Sequence, residues 1–316
     1  MKRSAWSSLI ITLTCLSICA GSPGKSVEAN PTNGGDEPNA ADLVREVRAS
    51  EDWLHRIDTL YLRTESTWRH PPESIAAYCA GRRREDPNWE PDPECNDRLW
   101  PSYEDKLEYA IDFKCKRLRY VADTPRREYL LRVWDANQLT QYVRRAVDGY
   151  EQYSLESTTD KFEWLFGGMG WPQARLHAFW WDARDTERLR DYFGYEEDFR
   201  LVGRLDYRGA LCYVLERTLR TDPAWVYRWY VGADDHLLRG RREYRGGQCR
   251  FEHWTLDYRE VAPGCPMPRT QGYSVTLYDP DKREYYVDLC RDVKIIETRI
   301  DESLLDELFR VEFVEG

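Results

Sequence analysis

Residues 225 to 256 read WVYRWYVGADDHLLRGRREYRGGQCRFEHWTL, and this stretch decides the fold class. Trp225, Tyr227, Trp229 and Val231 share one parity. Gly232 to Asp235 interrupts them, and a second run begins at Leu237. In a third run Cys249, Phe251 and His253 oppose Arg250, Glu252, Trp254 and Leu256. Period-two alternation, rich in aromatics and broken by Gly and Asp, marks antiparallel strands.

The same pattern extends in both directions. Toward the N-terminus, Leu107, Tyr109, Ile111, Phe113 and Cys115 alternate with Glu108, Asp112, Lys114 and Lys116 in the cleanest strand of the chain. Arg119 to Ala122, Tyr129 to Asp135, Leu139 to Arg145 and Glu151 to Glu156 follow as a meander. Phe199 to Asp206 and Leu211 to Leu219 form a hairpin through Tyr207-Arg208-Gly209. After the central stretch come Tyr285 to Leu289 and Val293 to Arg299. Helical spacing is confined to a few places. Leu43, Val47 and Leu54 stack along a helix from Asp42 to Arg56, with Asn39 or Asp42 as its cap. Ile57 to Trp68 continues directly from it as a strand. A short helix, Leu304 to Phe309, capped by Asp301 or Ser303, precedes a last strand from Val311 to Val314.

The chain has 316 residues, with 41% hydrophobic and 32% charged, which places it among globular proteins. No internal repeat or second unit is visible, so residues 39 to 316 read as one domain with an insertion at about 70 to 103. That insertion holds Pro87, Pro91, Pro93 and Arg82 to Arg84, and its only helical hint is Glu73 to Cys79. The net charge of -10 disfavours binding to a phosphate backbone, and no nucleic-acid partner is expected.

Lys2 and Arg3 precede an apolar run from Leu9 to Ala20, followed by polar Gly- and Pro-rich sequence. This is the layout of a secretory signal over residues 1 to 21, with cleavage after Ala20 or Gly21. Residues 22 to 38 form a flexible linker. Leu16-Ser17-Ile18-Cys19 resembles an acylation signal but carries Ile18 where a small residue belongs. Membrane association is therefore expected only through a lipid at Cys19 or an uncleaved signal anchor, and the location is periplasmic or secreted. Of nine cysteines, Cys15 and Cys19 lie in the signal. In an exported protein the other seven are disulfide candidates, and Cys79 with Cys95 brackets the insertion loop. A bridge closing a loop of that size is worth about 3 kcal/mol on the chain-entropy model.

Motifs that carry catalysis are missing from the sequence. It has no G-x-S-x-G, no phosphate-binding loop, no dinucleotide fingerprint and no H-E-x-x-H. Gly167-Gly168-Met169-Gly170 lacks the lysine of a phosphate cradle and reads as a loop hinge. Asp234-Asp235-His236 reads as a turn between strands rather than a metal or acid–base cluster. No C-x-x-C occurs, so a zinc site is disfavoured; neither metal nor cofactor is expected.

Three places resemble the LolA/LolB-like superfamily of lipoprotein carriers and related exported proteins. Ala41 to Trp68 is similar to that family's amphipathic helix running straight into a strand. Trp229-Tyr230-Val231 through Arg239 is similar to its hairpin across an acidic turn. Asp301 to Val314 is similar to its terminal element. The resemblance implies an α+β fold: a strongly curved antiparallel sheet, an unclosed half-barrel, with helices covering the concave face. It further implies a hydrophobic cavity beneath the helices that holds acyl chains, which is binding and not catalysis. Leu60, Leu62, Tyr109, Ile111 and Phe113 are the candidate lining, and Trp164, Trp171, Trp180 and Trp181 fall where a lid would lie. The insertion, the cysteines and the turn Pro263 to Pro268 depart from the carrier pattern. The expected partner is a hydrophobic ligand or lipoprotein, with envelope proteins as further partners. Two other readings stay open: an envelope scaffold without ligand, and a polysaccharide-active enzyme using tryptophans as sugar platforms.

Overall fold

The computed structural model describes residues 38–51, 53, 56–93, 96–124, 128–135, 138–145, 149–157, 198–219, 222–280 and 282–310. Among these residues, two helices and thirteen strands occur in the order α1 (Ala40–Glu51), β1 (Thr59–Arg69), α2 (Pro72–Glu85), β2 (Ser102–Asp112), β3 (Arg117–Thr124), β4 (Glu128–Asp135), β5 (Gln138–Arg145), β6 (Glu151–Ser157), β7 (Arg200–Tyr207), β8 (Ala210–Thr218), β9 (Trp225–Gly232), β10 (Leu238–Arg245), β11 (Gln248–Glu260), β12 (Pro266–Asp279) and β13 (Glu284–Ile300). A 3-10 turn, Asp306–Phe309, follows.

All strands belong to one antiparallel sheet with the order β6-β5-β4-β3-β2-β1-β13-β12-β11-β10-β9-β8-β7. The sheet is therefore two meanders, β1 to β6 and β7 to β13, joined where β1 pairs with β13. It does not close: β6 and β7 stand at opposite ends, and the architecture is an unclosed half-barrel. Tight turns fit this plan locally. Gly246 and Gly247, with φ of 58° and 81°, link β10 to β11 in a two-residue loop whose twist matches that of the strands.

Directly paired residues share a face, so the register assigns every side chain to one of two surfaces. The inner face carries Leu60, Leu62, Tyr109, Ile111, Leu118, Tyr120 and Trp134 on the first meander. On the second it carries Leu215, Trp229, Val231 and Leu238. Helix α1 lies on the second half, burying Leu43, Val44 and Val47 against Tyr213, Leu215, Tyr227 and Trp229. Each of these helix side chains contributes about 1.5–3 kcal/mol of transfer free energy. Asn39 caps the helix, its Oδ1 accepting from the Ala41 N–H at 2.9 Å. Past the helix, Trp53 and Ile57 reach the first half of the same face.

On the outer face, Phe309 of the 3-10 turn packs with Tyr61, Ala110 and Val133. Asp301 does not cap a helix. With φ of 54° it turns back, and its Oδ1 accepts from the Asp58 and Thr59 N–H groups at 2.6 and 3.2 Å, tying the end of β13 to the start of β1. Farther along the outer face, Tyr207 and Tyr230 stack at 4.0 Å beneath the Arg242 guanidinium.

The insertion holds more helix than the sequence suggests. Helix α2 runs through Arg82 to Arg84, and Ser74 is its one buried residue. It has Pro72 at its start and arginines in its last turn, both favourable, but no apolar stripe to announce it. Strand β13 is one 17-residue strand where the sequence suggests two. The turn region Pro263 to Pro268 contributes Pro266 to Pro268 to β12. The predicted strand Val311 to Val314 lies outside the described residues.

Candidate ligand-binding face

The inner face has three zones, each produced by strand register. On the first meander, Leu60, Leu62, Leu107, Tyr109, Ile111, Leu118, Tyr120 and Trp134 form one apolar basin with Ile295 of the adjoining β13. Tyr109 and Tyr120, paired across β2 and β3, hold their rings 5.1 Å apart. Trp53, Ile57, Met267 and Cys265 complete it from outside the meander. On the second meander, Phe199 meets Trp229 edge-on at 4.9 Å, and Tyr227 stacks on Trp229 at 5.8 Å. With Tyr213, Leu215, Val231, Leu238 and α1 they form a second basin.

Between the basins runs a polar zone. Arg241, His253, Tyr273, Arg291, Trp68 and Tyr103 stand in one continuous row across β10, β11, β12, β13, β1 and β2. The next row is Thr255, Gln271, Val293, Ser66 and Asp105. Cross-strand neighbours on one face sit about 4.5–5.5 Å apart, so these rows are contact rows.

Charges within the polar zone are compensated. Asp105, buried, accepts from Ser66 Oγ, from Trp68 Nε1 at 2.7 Å and from Arg291 Nη2 at 3.3 Å. Arg291 also donates to Ser66 Oγ from Nη2 at 2.8 Å, and its guanidinium lies 4.4 Å from the Trp68 ring centre. Burial alone would lower the pKa of Arg291. The Asp105 carboxylate, with Tyr273, Tyr109 and Tyr120 around it, reverses this, and the net shift is upward. Arg241 pairs with Glu243 at 2.5 Å, and His253 Nε2 lies 3.9 Å from the same carboxylate. Among the described residues Gln271 is exceptional: it is 1% exposed, and neither its Oε1 nor its Nε2 has a hydrogen-bond partner. Thr64 Oγ1, on the same face, is likewise buried without one.

The residues singled out as lining come together. Leu60, Leu62, Tyr109 and Ile111 are fully buried in the first basin, and Phe113 packs against its rim, half-buried. Trp164, Trp171, Trp180 and Trp181, as well as Gly167 to Gly170, lie outside the described residues. So does Cys95; Cys79 is half-buried on α2. Sequence reasoning missed the polar zone entirely. Its one visible signal is the interruption Cys290-Arg291-Asp292 in the apolar pattern of β13. Asp234-Asp235-His236 forms the turn expected of it: Asp235 Oδ1 accepts from the Leu237 N–H at 3.1 Å, and its carboxylate pairs with Arg239. No group of three or more metal-ligating side chains is present among the described residues. No helix there is long and apolar enough to cross a membrane.

No protein-family model matches the sequence. No curated protein matches it either. Solved structures do. A DUF1329 family protein from Desulfovibrio piger aligns over 86% of this chain and 95% of its own, with 11% identity and a TM-score of 0.42. A putative outer membrane lipoprotein-sorting protein domain from Vibrio parahaemolyticus aligns over 86% and 97%, with 9% identity and a TM-score of 0.41. A LolA superfamily protein from Nitrosomonas europaea aligns over 87% and 99%, with 10% identity and a TM-score of 0.37. At these identities no residue role is carried across from them.

Proposed function

We propose that this chain is an exported, non-catalytic binding protein that holds a lipid, a lipoprotein acyl chain or another hydrophobic ligand against the inner face of its half-barrel. One observation carries the reading. A single face of an open sheet bears two separate apolar basins, roofed by α1 in one half and by Trp53 and Ile57 in the other. Such a roof is held by a few side chains and can part from the sheet without breaking the strand ladder. An apolar ligand would then replace roof contacts with its own. The signal-like N-terminus supports a place in the cell envelope, where such ligands need carriage through water. The role asks for apolar lining and a movable cover, and it needs no reacting group.

A second reading, an envelope interaction protein, has its own support. Edge strand β6 and the residue before it expose Tyr150, Tyr153 and Leu155, the last at 55%. The sugar-platform reading fares less well, since no tryptophan among the described residues is exposed.

The test is native mass spectrometry of the protein purified from an exporting host, before and after organic extraction. Binding predicts added mass that extracts as lipid, or uptake of added palmitate or lipopeptide. A bare protein mass with no uptake would overturn the carrier reading and leave the interaction surface at β6.

A further inference from the structure

From Gln271 we infer that the ligand carries a neutral hydrogen-bonding group, an amide or an ester bearing a nearby hydroxyl, and is not a bare hydrocarbon or a fatty anion; this rests on the inner face being the binding face. Gln271 lies on β12 between Thr255 and Val293, in the zone that separates the two apolar basins. Its carboxamide offers a donor and an acceptor, and both are buried and unpartnered. Leaving such groups unpaired costs about 1–3 kcal/mol each, which a partner in the bound state would recover.

Neighbouring protein groups do not supply that partner. Thr255 Oγ1 donates to the Leu238 carbonyl at 2.5 Å and accepts from Tyr258 Oη at 3.2 Å. Val293 has no polar side-chain atom. Thr64 Oγ1, across β13 on β1, is buried and unpartnered too, so the polar spot extends over neighbouring strands. Strands two apart are separated by roughly 9.5 Å, a span a small polar group with its flanking atoms can bridge.

Charge decides the class. Arg291 is matched by Asp105, and Arg241 by Glu243. Each cation therefore has a carboxylate beside it that an incoming anion would also meet, while Arg241 Nε, buried without a partner, is a further donor toward a ligand carbonyl. A ligand with apolar arms in the two basins would place a central amide or hydroxy ester over Gln271. The carboxamide Nε2 would donate to the ligand carbonyl, and Oε1 would accept from its N–H or O–H.

The experiment is displacement of the neutral fluorophore N-phenyl-1-naphthylamine from the mature protein by palmitamide, palmitate and hexadecane, repeated with Gln271→Leu and the volume-conserving Gln271→Met. Two recovered hydrogen bonds predict a preference of about tenfold or more for palmitamide over hexadecane in the wild type. Both variants should reduce that preference to within about threefold. Palmitate should compete more weakly than palmitamide. If the fluorophore and hexadecane bind but the wild type shows no preference, or the variants keep it, the inference fails and the binding face stands; a buried water then satisfies Gln271. If no apolar probe binds, the binding face itself is wrong. Should neither variant fold, the wild-type panel alone decides.

Discussion

At the scale of single residues, the inner face combines apolar packing with a buried ion pair that holds the two meanders together. Arg291 belongs to β13 and Asp105 to β2, and Ser66 and Trp68 of β1 lie between them. The network therefore spans the junction between the two meanders and the pairing of β1 with β2 across the insertion. Removing one partner of a buried pair strands the other charge. Asp105→Ala should destabilise the protein by about 3–5 kcal/mol in urea unfolding, and the double variant Asp105→Leu with Arg291→Met should be less destabilised than the single one. A double variant at least as unstable as Asp105→Ala would show that the pair stabilises by more than mutual neutralisation. This network was not legible beforehand. An arginine amid polar neighbours in a strand looks like a solvated break, and nothing in one sequence says that an aspartate 186 positions away will face it. Gln271 gave still less signal, because a glutamine has the same appearance in a sequence whether it is solvated or buried.

At the scale of elements, alternation was a good guide wherever a strand has one apolar and one polar side. β4, β5 and β6 appear close to where the sequence puts them, whereas β2 begins at Ser102 and ends at Asp112, so Phe113 and Cys115, read as its continuation, fall in the turn to β3. It failed where that contrast is absent. Helix α2 buries only Ser74 and so has no stripe to read. β13 carries buried polar groups on its covered side, so one strand looks like two. Glycines on the strands report another element-level constraint. Gly272 on β12 faces Trp254 on β11, and a Cβ there would collide with the indole ring and with the Arg291 carbonyl oxygen. Gly272→Ala should therefore cost about 1–3 kcal/mol, measured as a lowered midpoint in chemical denaturation. An unchanged midpoint would mean that Trp254 has room to move, and that this part of the outer face is less tightly packed than described.

At the scale of the whole molecule, the governing fact is an open sheet with a covered inner face. Two meanders joined at β1 and β13 put β6 and β7 at the two ends of the sheet among the described residues, while its centre holds the longest strand and the buried ion pair. On the proposed reading, a ligand would reach the inner face by parting α1, Trp53 and Ile57 from the sheet, without unfolding the strand ladder. The most direct test is photo-crosslinking of a diazirine-bearing fatty acyl amide to the mature protein, with the labelled peptides mapped by mass spectrometry. The account predicts labels on inner-face peptides, those carrying Leu60 and Leu62 of β1, Tyr109 and Ile111 of β2, and the neighbourhood of Gln271 on β12. Labels confined to the exposed β6 residues Tyr153 and Leu155, or no labelling above that of the unfolded chain, would contradict it.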